Sequence, residues 1–225
     1  MPSISEYILQ QNHHWLVLNK PPGMPVQPDR TGDANLLTAA QAYCKRSLHV
    51  HNRLDRPASG LVLMSKTTQA HQHFHRLQTS GDLTRKYWAI TANAPREIEG
   101  EAHGSIRKLA KSNRSVWQPE ADGPQTKEAS LRYKVLDSSD RYYLWEVELM
   151  TGRHHQIRAF LQYLECPIRG DVKYGYRRSN PQHHIQLHAR EMQFVDMDQQ
   201  TVQQFVAPLP EERIWHIFTL TQNHE

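Results

Sequence analysis

The chain has 225 residues, enough for one full-sized domain with a real core. Apolar residues make up 38% of it against 22% charged, and the apolar positions are patterned, which excludes a disordered chain. The 27 Lys and Arg against 23 Asp and Glu leave a charge of +4, with a pI of about 9.1, a mild bias that suits a polyanionic partner without requiring one.

No run approaches the roughly 18 continuous apolar residues that a membrane helix needs. The opening MPSISEYILQQNHH has neither the basic start nor the apolar stretch of a signal peptide. The expectation is a soluble, unprocessed cytoplasmic protein with no membrane partner. Cys44 and Cys166 lie far apart and outside metal-ligand spacing, so both read as small buried fillers in a reducing compartment.

In chain order, HWLVLNK at 14–20 reads as a strand ending at a PPG turn, and NLLTAAQAYC at 35–44 suits a helix. GLVLMSK at 60–66 is a short, largely buried strand. The run 67–79 begins on a threonine cap, sets Ala70, Phe74 and Leu77 on one stripe, and meets Gly81 as its stop. A strand follows at 84–92, and residues 119–127 read as a loop. From Lys127 the period becomes two: Leu131, Tyr133 and Val135 alternate with Arg132 and Lys134, then Tyr143, Trp145, Val147 and Leu149 alternate with Glu146 and Glu148. DSSD at 137–140 supplies the hairpin turn. Basic residues of one strand then face acidic residues of the other, worth a few tenths of a kcal/mol per pair. A third helix starts near Arg153, burying Ile157, Phe160, Leu161 and Leu164 with Arg158 on its flank. Strands at 185–195 and 201–207 close the list. Hairpins with interspersed helices and no strand-helix-strand rhythm predict an α+β fold, one domain with a mostly antiparallel mixed sheet flanked by helices and loops.

Three segments carry chemistry. In HNRLDRPASGLVLMSKT, 51–67, Asp55 is bracketed by Arg53 and Arg56, whose charge favours an ionised carboxylate. Asp55 is either a nucleophile or electrostatic stabiliser, or a loop acid paired with a neighbouring arginine on the surface. TGRHHQIRAFL, 151–161, places Arg153 at a helix entrance and Arg158 further along, in a site or on a solvated helix face. In RKYWAI, 85–90, strand alternation sets Tyr87 opposite Trp88, as a site residue or as core. SIRKLAKSNR, 105–114, gathers Arg107, Lys108, Lys111 and Arg114 in either a contact with a polyanion's phosphates or a solvated surface loop. His71 and His75 share a helix face while His73 points away, and the adjacent pairs 13–14, 154–155 and 183–184 diverge, so no metal site is expected.

The blocks NRLDRPASG, RKYWAI and TGRHHQIR, in this order, resemble the RluA-type family of pseudouridine synthases. The flanking WLVLNKPPGMPVQPD, CPIRGDVKYG and IQLHAREMQF resemble it too, so the likeness runs from about residue 13 to residue 208. It implies the pseudouridine synthase fold and conversion of uridine to pseudouridine in rRNA or tRNA, without cofactor or metal. Asp55 matches the family's catalytic aspartate, Arg158 the arginine that pairs with it, and Tyr87 the tyrosine that stacks on the target base. Arg53 matches the arginine that fills the gap left by a flipped uridine, and Leu187 an apolar residue of the base pocket. Arg153 joins these as a substrate-binding residue. Asn52 and Ala58 depart from the family's His and Thr, which puts the loop's hydrogen bonds in question. The expectation is a single catalytic domain over 1–225, with its core at about 13–208 and no separate N-terminal RNA-binding domain, acting as a monomer without an obligate protein partner. The rivals are a non-catalytic RNA-binding protein and a retaining glycosidase, though no second acid accompanies Asp55 in its motif or in HQIR.

Overall fold

A computed structural model of the chain describes residues 3–121 and 123–218. In chain order its elements are α1 (Ile4–Tyr7), β1 (Ile8–Gln11), β2 (Trp15–Lys20), α2 (Leu36–Cys44), β3 (His49–Val50), β4 (Ser59–Ser65), α3 (Thr68–Ser80) and β5 (Thr84–Thr91). There follow β6 (Glu99–Leu109), β7 (Arg114–Gln118), β8 (Thr126–Ser138), β9 (Tyr143–Leu149), α4 (Gln156–Tyr163), β10 (Leu187–Val195) and β11 (Val202–Val206), with short 3-10 turns at Val172–Tyr174, Pro181–His183 and Arg213–His216. Two units are distinguishable, Met1–Arg85 with His188–Leu209, and Lys86–Leu187 with Pro210–Glu225.

In the first unit β4 is the central strand. It pairs antiparallel with β2 and β3, and parallel with β10 through His188 and Ala189, while β1 and β11 flank β2 and β10. All seven β4 residues are buried, which is why the run reads as continuously apolar rather than alternating. Gly60 permits the parallel pairing: a Cβ there would lie 2.3 Å from the Ala189 carbonyl oxygen. Trp15 meets the edges of Phe194 and Phe205, each at 5.5 Å, and donates Nε1–H to Asp196 at 2.8 Å. The α3 helix forms where its sequence signals place it. Thr67 accepts from the Ala70 amide, Gly81 is the C-cap, and Ala70 and Phe74 are buried. Asn35 caps α2 in the same way, accepting from the Thr38 amide.

The second unit carries an antiparallel sheet in the order β5-β9-β8-β6-β7. The expected charge pairing holds and extends across four strands: Lys86 faces Glu148, Glu148 faces Arg132, and Arg132 faces Glu101. Arg132 reaches Glu101 at 3.0 Å and Lys134 reaches Glu146 at 3.2 Å. The opposite face buries Leu131, Trp145 and Val147, with Phe160 of α4 5.3 Å from Tyr133 and 4.9 Å from Trp117.

Four expectations are corrected. Residues 105–114 belong to the β6/β7 hairpin rather than a loop, because Ile106 and Trp117 pair across it and are both buried. The β8/β9 turn is displaced to 139–142, where the Ser139 amide donates to the Tyr142 carbonyl, after a bulge between Val135 and Asp137. The third helix begins at Gln156, not near Arg153. The Gln156 side chain accepts from the Arg153 amide and the Thr151 hydroxyl and donates to the Ser130 carbonyl, so 151–155 is locked as a loop. Cys44 is half-buried, whereas Cys166 is buried and its thiol is pushed up to about 11 by that burial.

Candidate active site

In the first unit the site is built on the loop between β3 and β4. Asn52 is buried and its carboxamide works in both directions, donating to the Leu61 carbonyl and accepting from the Leu63 amide, each at 2.8 Å. The departure from histidine therefore keeps the loop tied to its strand. Leu54 is buried, Arg53 is exposed, and Asp55 between Leu54 and Arg56 is half-buried. The turn closes where the Ala58 amide donates to the Asp55 carbonyl at 3.0 Å. Ala58 is itself buried, so a larger hydroxyl-bearing residue is not required to shape the turn. Ser59 and His188 then join β4 to β10 at 2.8 Å.

Arg56 is exposed and holds the loop at a second point. Its guanidinium donates to the Gly23 carbonyl at 2.9 Å and to Asp33 at 2.5 Å, tying the loop to the turn after β2. A buried positive group whose charge couples to Asp55 is Lys20, which sequence reasoning missed. Lys20 is wholly buried, and four backbone carbonyls share the three protons of its Nζ: Pro21 and Met24 at 2.9 Å, Arg56 at 3.3 Å and Ala58 at 2.6 Å. Burial brings its pKa down to about 7, with the Asp55 charge opposing that fall and Arg56 adding to it. A signal was present in NKPPG, a lysine closing an apolar strand, but nothing in it tells a surface lysine from a buried one.

In the second unit Tyr87 and Trp88 are both buried, paired with Val147 and Glu146 of β9. Arg158 is 4% exposed on α4, not on a solvated flank. It forms a two-pronged ion pair with Asp171, Nε to Oδ2 at 2.7 Å and Nη2 to Oδ1 at 2.8 Å. Its guanidinium also lies 4.7 Å from the centre of the Tyr174 ring. Arg153 is exposed, with Nε donating to the Glu128 carbonyl at 2.6 Å, and Leu187 is buried.

The four basic residues of the β6/β7 hairpin separate into two kinds. Lys108 and Lys111 are exposed near its turn, whereas Arg107 and Arg114 are half-buried. Arg114 donates to Gln162 at 3.0 Å and lies 5.2 Å from the Tyr174 ring centre, so it is fixed within the unit. Among the described residues no group of three or more His, Cys, Asp or Glu has a metal-holding arrangement. His71 stacks on His49 at 4.4 Å, and His73 bonds the Val195 carbonyl at 2.8 Å. No described helix is long and apolar enough to cross a membrane.

The family described as RNA pseudouridylate synthase matches residues 14–163. The protein named uncharacterized RNA pseudouridine synthase YlyB of Bacillus subtilis is 30% identical over 227 residues, covering 96% of this chain and 73% of that protein. The ribosomal large subunit pseudouridine synthase C of Rickettsia conorii is 29% identical over 180 residues, covering 79% of this chain and 59% of that protein. The chain also spans 62% of the length of a Mycoplasma pneumoniae relative that carries the name of an uncharacterized RNA pseudouridine synthase. A solved structure titled human RNA pseudouridylate synthase domain containing 4 superposes with a TM-score of 0.74 at 25% identity, covering 94% of this chain and 91% of that one. The α+β fold with its mixed sheet is thus the pseudouridine synthase fold, and the matched span takes in the Asp55 loop, Tyr87 and Arg158. On sequence and fold alike, the chain belongs to the RNA pseudouridylate synthase family of RNA-modifying isomerases.

Proposed function

We propose that this protein isomerises a specific uridine of structured RNA to pseudouridine, with Asp55 as the group on which the reaction depends. The observation that carries the reading is the Asp55 loop. A half-buried carboxylate sits on a turn whose ends are fixed by Asn52 and by a buried lysine, in the sequence context the family matches. Such fixing holds a reactive group in one geometry at no cost during the reaction.

The chemistry conserves the nucleotide's composition, with one hydrogen exchanged with water. The bond from N1 of uracil to the ribose anomeric carbon breaks, the base turns, carbon 5 bonds to the anomeric carbon, and the carbon 5 proton is lost while N1 gains one. The Asp55 carboxylate attacks the anomeric carbon or the ring, or assists loss of uracil to a glycal. Tyr87 stacks on the base and serves the proton transfers at carbon 5. Arg158 supplies positive charge for the aspartate, and Arg53, exposed beside Asp55, fills the space left by the flipped uridine. Flipping costs a few kcal/mol, offset by stacking and phosphate contacts. Leu187 lines the base pocket and Arg153 holds the substrate backbone. No cofactor or metal enters these steps. The protein acts as a cytoplasmic monomer, and the name of the Rickettsia relative favours ribosomal RNA over transfer RNA as the target.

Incubation with RNA carrying tritium at carbon 5 of uridine tests the reading. Tritium should pass to water with a matching yield of pseudouridine and no free uracil. Free uracil as the product would instead indicate a nucleoside hydrolase.

Lys108 and Lys111 are the phosphate contacts of the hairpin, with Arg107 and Arg114 behind them. Replacing both lysines by Gln should weaken binding about equally for all RNA sequences. The slope of log Kd against log salt should fall by between about 1 and 2, near 0.7–0.9 per lost contact. Binding titrations from 50 to about 200 mM salt read this slope, and an unchanged slope would remove the hairpin from the RNA interface.

A further inference from the structure

The segment CPIRGDVKYG has no role in the reaction proposed above, yet its Asp171 and Tyr174 are buried and closely held. Asp171 is 1% exposed and faces an arginine that is 4% exposed. Taking two charges out of water costs several kcal/mol each. Apolar residues of the same volume often serve stability as well or better than such a pair. Burial of this pair therefore points to a need for the charge and geometry themselves.

The backbone presents Asp171 rigidly. Gly170 has φ of +84°, and a Cβ there would lie 2.1 Å from the Asn180 side-chain nitrogen and 2.7 Å from the His184 carbonyl oxygen. The Asp171 amide donates to the Ile168 carbonyl, and the Asp171 carbonyl accepts from the amides of Tyr174 and Tyr176, each at 3.0 Å. Tyr174, fully buried, is held from two sides. Its hydroxyl accepts from the Ser115 amide at 2.7 Å and bonds His155 Nδ1 at 2.8 Å. His155 in turn stacks on His154 at 3.7 Å, and His154 Nδ1 bonds the Ser115 hydroxyl at 2.8 Å.

The consequence falls on the Arg158 side chain. A guanidinium has five N–H donors in one plane, and the Asp171 carboxylate takes two along one edge. That grip fixes rotation in the plane, while the guanidinium carbon is held over the Tyr174 ring, 4.7 Å from its centre. We propose that Asp171, seated by the Gly170 and Tyr174 turn, is a positioning residue that sets the orientation of Arg158 for the isomerisation. This inference rests on the reading of Arg158 as part of the catalytic machinery.

The test separates the rate at saturating RNA from the affinity. In single-turnover assays Asp171→Asn, which keeps the shape and one acceptor, should slow the reaction about 100-fold, as misplacement by about 1 Å does. Its Kd for RNA should stay near the wild-type value. A purely structural role would lower the melting temperature and leave the rate per folded molecule unchanged, which overturns the proposal. Asp171→Glu keeps the buried charge paired while displacing the guanidinium, so it covers the case in which the Asn variant does not fold. A wild-type rate for this variant likewise overturns the proposal. Arg158→Lys, measured in parallel, loses the planar fork. If it alone retains the full rate, the catalytic reading of Arg158 falls. If it is slow while both Asp171 variants are fast, only the positioning inference falls. Combining Arg158→Lys with Asp171→Asn should cost no more than Arg158→Lys alone, since both act through one group.

Discussion

Replacement of Asp55 by Asn is expected to lower pseudouridine formation at least about 1000-fold, the scale on which loss of an essential nucleophile acts, while the protein remains folded and binds RNA. The substitution changes charge and little else. The loop is held in part by backbone and neighbouring side chains: the Ala58 amide on the Asp55 carbonyl, the Asn52 carboxamide on Leu61 and Leu63, and the Lys20 amine on the carbonyls of Arg56 and Ala58. None of these uses the Asp55 carboxylate. Removing the carboxylate charge also removes the one influence that raises the Lys20 pKa, so the amine should hold its proton less tightly in the variant. Tritium release from carbon 5 reads activity, and circular dichroism with RNA titration reads fold and binding. A variant that is folded, binds RNA and releases tritium at the wild-type rate would remove Asp55 from the mechanism.

The parts of the fold that were legible in the sequence are those whose signals are local. Thr67 and Gly81 delimit α3 because capping is satisfied within a few residues, and the β8/β9 charge pairing follows from a strict alternation of two. The β6/β7 hairpin was hidden because its burial rests on Ile106 and Trp117 amid charged and small residues, too few for a period to show. The start of α4 was hidden for another reason. Gln156 reaches back to Ser130 on β8, a partner that only the folded chain supplies. Of the candidate site, the positions of Asp55, Tyr87 and Arg158 in their elements were readable, but not how they are held. Whether Arg158 belongs to a site or to a solvated helix face stays open until Asp171 is placed against it, and Asn52 reads as a departure until its carboxamide meets Leu61 and Leu63. Burial of a polar group is decided by distant partners, and those are what local patterns lack.

Lys20 is the sharpest case, and its replacement by Met should produce the largest change in stability. Methionine fills a similar volume and supplies no donor, so four carbonyls from two turns lose their shared partner. Each buried acceptor left without a hydrogen bond costs about 1–3 kcal/mol, offset in part by relief from burying the amine, which places the net loss at about 2–4 kcal/mol. The pH dependence identifies the cause. The folded-state pKa is about 7, against about 10.4 for an unfolded lysine. Between those values the unfolded chain holds a proton that the folded chain has released, so wild-type stability rises with pH across the window, by about 1.4 kcal/mol per unit at most. Below pH 7 both states hold the proton and this contribution is flat. In Lys20→Met the rise should vanish, so the gap between the two proteins widens from pH 7 to about pH 10. Denaturant unfolding at several pH values measures it, and parallel curves for the two proteins would refute the buried titration. Because Arg56 and Ala58 flank Asp55, the same variant should also slow isomerisation at saturating RNA, at temperatures where it is fully folded.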